Sequence, residues 1–314
     1  MGLRDFILIF AGFAGMLAGA LLPGLGEPLR HAPTACVVVL ALLCFLSGLS
    51  PDKPVGVASL RGLPRFLFVK MLVLPLICWG VFLPLFPQYA LGALLLGGTA
   101  VGVLAPFFLF LLRGDEVFGT AAFIASSLLM PCTVPLVVGI AALAGDMPAA
   151  GLFTSFLHTA LFLAACLLPP FLAAKCAWAF RPSLARAVLS RRYGISLVCS
   201  TGSMLIVFSR FSEPLRQDPS LIPQSLGAAF FAAALLFVLG LLFTRNESRE
   251  RRLAEVVCCC AMNNVLMAVV AARFFGVHEM LMCALYSVPF NFLLIPYRVL
   301  AARLEPSAGP GRAG

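Results

Sequence analysis

Polar residues inside apolar stretches are the first candidates for chemistry in this sequence. Asn263 and Asn264 interrupt one apolar run, as Cys-Ala-Met-Asn-Asn, and Glu255 lies about two helical turns earlier. Such groups cost free energy in hydrocarbon unless they face a cavity or a partner, so they are candidates for binding a solute or an ion. Two alternatives stay open, because asparagines also bond between helices, and a carboxylate near arginines also suits a helix N-terminus.

A second unusual run contains glycine and proline at close spacing. Gly97, Gly98 and Thr99 are followed by Gly102 and Pro106. A helix interrupted in this way can unwind near the membrane midplane and expose carbonyl and N–H groups to a ligand. The alternative is a close contact between two helices, which small residues also permit.

The elements that carry these residues are predicted to be membrane spans. The chain is 61% hydrophobic and only 11% charged, whereas a soluble domain is about a quarter charged. Most of the cysteines lie in apolar runs and are interpreted as small hydrophobic residues. We expect an all-α membrane protein with about ten transmembrane helices. The expected spans are roughly 6–23, 33–49, 66–87, 89–112, 117–144, 149–178, 195–212, 224–244, 253–275 and 279–300.

The basic residues segregate to one side of this arrangement. Most of the 22 Lys and Arg residues fall in alternate loops, and Lys70 is counted with them at the start of the third span. Such loops are cytoplasmic, which predicts a multi-pass inner-membrane protein with both termini in the cytoplasm. The net charge of +9 is then explained by topology, and the predicted partner is the lipid bilayer rather than nucleic acid.

Ten spans divide into two halves of five, and an odd number per half inserts the second half upside down. We therefore expect one transporter domain over 1–305, with inverted repeats at about 1–145 and 146–305. The tail 306–314 is predicted to be disordered. Two turns match between the halves, namely Gly114-Asp115-Glu116 and Gly276-Val277-His278-Glu279.

Three runs in the fourth, fifth and ninth spans carry a family resemblance. They are Gly97-Gly98-Thr99-Ala100, Ser126-Ser127-Leu128-Leu129-Met130-Pro131 and Ala261-Met262-Asn263-Asn264. In these runs the chain resembles the bile acid:sodium symporter family and, more loosely, the arsenite and auxin-type carriers. The resemblance implies a core and a panel built from two inverted five-helix repeats. It also implies that helices 4 and 9 are broken and cross near the substrate.

The chain departs from the family pattern where sodium is expected to bind. The family's Ser-Asn pair falls on Val101-Gly102 or, in a second alignment, on Ala105-Pro106. Its glutamate falls on Cys259, and its sodium-binding Ser and Thr fall on Gly119 and Phe123. Sodium is a hard cation that prefers oxygen ligands, so these departures put sodium coupling in doubt. Glu255, one helical turn before Cys259, is a candidate for a displaced carboxylate and for a proton carrier.

These observations predict a secondary active transporter, not an enzyme, that moves a small solute such as an organic anion by alternating access. No cofactor is expected beyond a coupling sodium ion or proton. One alternative is a non-transporting membrane sensor or assembly protein on the same fold. Another is an intramembrane enzyme, for which His158 is the histidine well inside a span. The expected binding residues are Thr99, Gly102, Pro106, Glu255, Cys259, Met262, Asn263 and Asn264.

Overall fold

The computed structural model describes residues 3–22, 61–102, 105–144, 152–210 and 217–303, with isolated positions between 38 and 49. These residues are largely helical, and none of them lies in a β-strand. The helices are α1 (Leu3–Leu21), α2 (Leu63–Leu85), α3 (Ala90–Gly98), α4 (Ala105–Leu112), α5 (Glu116–Ala144), α6 (Leu152–Phe180), α7 (Pro182–Ser190), α8 (Arg192–Arg210), α9 (Leu221–Phe243), α10 (Arg249–Cys260), α11 (Asn264–Phe274) and α12 (Val277–Arg303).

Four of these helices, α2, α5, α9 and α12, are long and apolar enough to cross a membrane. A chain with several such helices is an all-α membrane protein. The four coincide with the third, fifth, eighth and tenth predicted spans. The second predicted span, at 33–49, lies largely outside the described residues, and the tail 306–314 lies wholly outside them.

The fourth and ninth predicted spans are each interrupted in the structure. The fourth consists of α3 and α4, and its first half ends at Gly98, where two successive glycines weaken the helix. Pro106 is the second residue of α4, a position in the first turn that proline tolerates. The ninth consists of α10 and α11, and the Asn263 side chain accepts the Leu266 N–H to cap the second half.

Glycines bring α1 directly against α8. A Cβ atom at Gly15 would lie 2.5 Å from the Thr201 carbonyl oxygen, and one at Gly19 would lie 2.5 Å from that of Leu205. Glycines four residues apart on one helix face let two backbones approach closely in a membrane. The first helix of the chain is therefore packed against a helix of its second half.

Close packing also places α2 beside the end of α3. A Cβ atom at Gly97 would lie 2.7 Å from the Cα of Pro75, so the two helices touch through their backbones. One turn before Pro75, α2 contains a π-helical turn over Val69–Val73. Such turns insert a residue into a helix and often occur at functional sites. This one directs Lys70 toward the end of α3.

Candidate functional site

The two interrupted helices cross at their breaks. The Gly102 N–H donates to the Ala261 carbonyl oxygen at 2.6 Å, and the Asn263 N–H donates to that of Ala100 at 3.1 Å. The two bonded segments run antiparallel. Each break therefore satisfies backbone groups of the other, which a lipid environment could not do.

Gly102 allows this close approach. Val101 and Met262 lie opposite each other in the antiparallel pair, and both are buried. A Cβ atom at Gly102 would lie 2.7 Å from the Met262 carbonyl oxygen, which is too close for any other residue type. The structure thus brings the predicted site residues Gly102 and Met262 together, through their backbones rather than their side chains.

The crossing assembles four helix ends of both polarities. The C-terminal ends of α3 and α10 carry partial negative charge, and the N-terminal ends of α4 and α11 carry partial positive charge. The C-terminal ends attract cations, and the N-terminal ends attract anions. The arrangement can therefore interact with charged groups of either sign.

A lysine occupies the negative end of α3. The Lys70 Nζ donates to the Gly97 carbonyl oxygen at 2.7 Å and to that of Thr99 at 3.1 Å, and the side chain is fully buried. Lys70 therefore lies inside α2 with its side chain buried, rather than in a loop. The thiols of Cys78, Cys258, Cys259 and Cys260 are among the ionisable side chains near this ammonium.

Hydroxyl groups of α5 and α12 bond further backbone groups at the crossing. The Ser126 hydroxyl accepts the Val101 N–H at 3.0 Å and donates to the Phe123 carbonyl oxygen at 3.2 Å. The Tyr286 hydroxyl donates to the carbonyl oxygen of Cys260, the last residue of α10, at 3.0 Å. Ser126 thus bonds its own helix, as serines in helices do, and also fixes the first break.

The predicted polar residues at the crossing make structural contacts. The Asn264 side-chain amide donates to the Ser287 hydroxyl at 2.6 Å and to the Cys283 carbonyl oxygen at 3.5 Å. The Thr99 hydroxyl lies 3.9 Å from the Met130 sulfur. Asn264 therefore bonds between helices, which was the alternative to a binding role, while Asn263 caps α11.

Glu255 lies about 9 Å before the crossing along α10. Its carboxylate accepts a hydrogen bond from Arg251 Nε at 2.9 Å, and the residue is 4% exposed. The Arg251 guanidinium also donates to the Arg61 carbonyl oxygen at 2.6 Å, stacks 3.2 Å above the Phe118 ring, and lies 3.8 Å from Asp115. Glu255 thus forms a buried ion pair with Arg251 within α10, and Arg251 links this pair to the α4–α5 turn, separate from the crossing.

The residues that the resemblance implied for a sodium site offer no side-chain oxygen. Gly119 and Phe123 carry no side-chain oxygen, and a Cβ atom at Gly119 would meet the Leu109 side chain. Cys259 is buried and offers a sulfur, which is too soft for this cation. Among the described residues, no group of three or more His, Cys, Asp or Glu side chains could hold a metal ion.

Two buried tyrosines allow the capping of α10 to be tested. We expect Tyr286→Phe to lower stability by about 1–3 kcal/mol, because the Cys260 carbonyl loses its buried donor. Tyr297→Phe is the matched control, since that hydroxyl is buried beside Cys260 and has no hydrogen-bond partner of normal geometry among the described residues. Thermal unfolding in detergent should show a loss for the first variant and none for the second. Equal losses would contradict the capping role.

In comparisons with known proteins, no protein-family model and no curated protein matches the chain.

Proposed function

We propose that this chain is a secondary carrier that moves a small solute across the inner membrane by alternating access, on a fold like that of the bile acid:sodium symporters. The observation that carries the proposal is the antiparallel crossing of two interrupted helices, in which the Gly102 N–H bonds the Ala261 carbonyl. Broken helices of this kind place backbone groups and helix ends at the membrane midplane, where carriers bind solutes. Both termini are proposed to be cytoplasmic.

An arrangement of ten helices in two inverted repeats is part of this proposal. Its support is that a serine of the long helix that follows each interruption accepts a hydrogen bond there. Ser126 of α5 accepts the backbone N–H of Val101 in the first break, and Ser287 of α12 accepts the side-chain amide of Asn264 after the second. Serines at comparable places in the two halves are compatible with a duplicated and inverted unit.

The proposed solute is a small organic anion. The N-terminal ends of α4 and α11 lie at the crossing and favour negative charge. The basic Lys70 side chain is buried nearby, at the end of α3. An anionic group thus finds an attractive electrostatic environment here, and the surrounding bilayer is the carrier's other partner.

The rival function of an intramembrane enzyme finds less support. It needs a histidine or a comparable group beside a nucleophile within the membrane. His158 is exposed on α6, and the His278 ring packs against that of Tyr89, with 5.5 Å between the ring centroids. The second rival, a sensor or assembly protein on the same fold, would bind a ligand without moving it.

Ligand-dependent stability tests the proposal and identifies the solute class. The purified protein is heated in detergent with a panel of small organic anions and, as matched controls, with neutral and cationic analogues of the same size. A solute that binds the folded state raises the unfolding midpoint by mass action, and at 100 times its Kd the stabilisation is about 2.7 kcal/mol. We expect stabilisation by one class of anion. Stabilisation by the neutral or cationic analogues instead would contradict the anionic assignment.

A further inference from the structure

Lys70 is the basic side chain buried at the crossing. Its ammonium has three donors, and two of them bond the Gly97 and Thr99 carbonyl oxygens at the end of α3. The side chain is fully buried in a π-helical turn of α2. A buried charge is costly, so a lysine in this place needs a reason beyond packing.

The ammonium occupies the position where a free cation would bind. Carbonyl oxygens at the C-terminal end of a half-helix are the groups that coordinate coupling cations in carriers with broken helices. The end of the other half-helix, α10, is bonded by the Tyr286 hydroxyl at its Cys260 carbonyl. Protein donors thus bond backbone carbonyls at both negative helix ends of the crossing.

The surroundings of Lys70 disfavour a second cation. Its Nζ already bonds the two carbonyl oxygens that a second cation would use. A sodium ion at the same carbonyls would therefore lie directly beside the ammonium charge.

We propose that the Lys70 ammonium is a resident cation, attached to the chain, that takes the place of a free sodium ion at the end of α3 and makes the carrier independent of sodium. This inference rests on the proposed carrier function, because only a carrier has a coupling ion to replace. It assigns Lys70 a positioning role, holding the Gly97 and Thr99 carbonyls in the conformation that a bound metal ion would otherwise impose.

Removing the side chain should recreate a cation site that can be filled from solution. Thermal unfolding is measured without solute, in sodium, methylammonium or choline chloride at equal ionic strength. We expect the midpoint of Lys70→Ala to rise by roughly 3–5 °C in sodium or methylammonium relative to choline, which is too large to enter. Lys70→Met fills the space without a charge. The unfolding midpoints of this variant and of the wild type should be the same in all three salts. Lys175→Met, which removes a partly exposed lysine of α6, is the control for lost charge.

Lys70→Gln keeps the test decisive if Lys70→Ala does not fold. Its amide can donate to one carbonyl and offers an oxygen ligand to sodium, so its midpoint should rise in sodium but not in choline. If Lys70→Ala and Lys70→Gln fold but neither sodium nor methylammonium raises their unfolding midpoints, the proposal is overturned. A wild-type protein stabilised by sodium over choline would also overturn it.

Uptake into vesicles separates this inference from the proposed function. Wild-type uptake should be equal in sodium and choline, whereas Lys70→Gln should need sodium and Lys70→Met should lose at least about tenfold in rate. Wild-type uptake that requires sodium would overturn the resident cation and leave the carrier function standing. If the wild type moves no solute, but Lys70→Ala gains stability from small cations, the carrier function fails and the cation position is supported.

Discussion

Gly102→Val is expected to destabilise the protein by about 3 kcal/mol or more, which would lower the unfolding midpoint by roughly 5–10 °C. A Cβ atom at this position would lie 2.7 Å from the Met262 carbonyl oxygen and 2.9 Å from its carbon. Both are backbone atoms that cannot rotate away. The two interrupted helices would have to separate, and the bond from the Gly102 N–H to the Ala261 carbonyl would be lost.

Gly139→Val is the matched control for this variant. Gly139 lies within α5, and a Cβ atom there would meet no atom within 4 Å. The same side chain is thus added to a membrane helix without a clash, and we expect a change within about 0.5 kcal/mol. Similar midpoints for the two variants would mean that the crossing does not require close backbone approach.

The second large effect is expected for Arg251→Met, at about 3–5 kcal/mol of lost stability. The substitution leaves the Glu255 carboxylate, which is 4% exposed, without its hydrogen bond from Arg251 Nε. It also removes the stacking on Phe118 and the bond to the Arg61 carbonyl. Helices α5 and α10 and the turn before α2 would lose their shared contact.

A double-mutant cycle separates the ion pair from these other contacts. Arg251→Met with Glu255→Met removes both charges, so it should recover most of the loss, because no uncompensated carboxylate stays buried. Glu255→Met alone should lower stability less than Arg251→Met, because the Arg251 guanidinium keeps its contacts with Asp115 and the Arg61 carbonyl. Additive losses in thermal unfolding would contradict a coupled pair.

Local sequence chemistry predicted the first helix break but not the contacts that complete it. Gly97-Gly98-Thr99 weakens a helix by its own propensity, and Pro106 suits the start of the next one, so the interruption could be read from a few residues. The partner of that break lies about 160 residues away in the chain, at Ala261. Long-range backbone pairing leaves no local signal, and only the resemblance pointed to it.

Lys70 and Arg251 show what a count of basic residues leaves out. Such a count predicts the side of the membrane on which loops lie, but not which basic side chains are buried or what they bond. The structure buries both, and each makes hydrogen bonds to a distant part of the chain, Lys70 at the end of α3 and Arg251 at Glu255 and Arg61. A usable signal was present for Lys70, which stands alone in the apolar run Phe-Leu-Phe-Val-Lys-Met-Leu-Val-Leu, where an ionisable residue is costly and so commonly functional.

Solute exchange in reconstituted vesicles tests the central claim most directly. Vesicles loaded with the anion that stabilises the purified protein are diluted into a trace of the same labelled anion, with empty vesicles and Gly102→Val as controls. A carrier that alternates between two open states accumulates label in loaded vesicles faster than in empty ones, and the crossing variant should not. Equally slow entry of label into loaded vesicles, empty vesicles and vesicles with Gly102→Val would contradict transport. If the purified protein still binds the anion, the chain would then be a binding protein on the same fold.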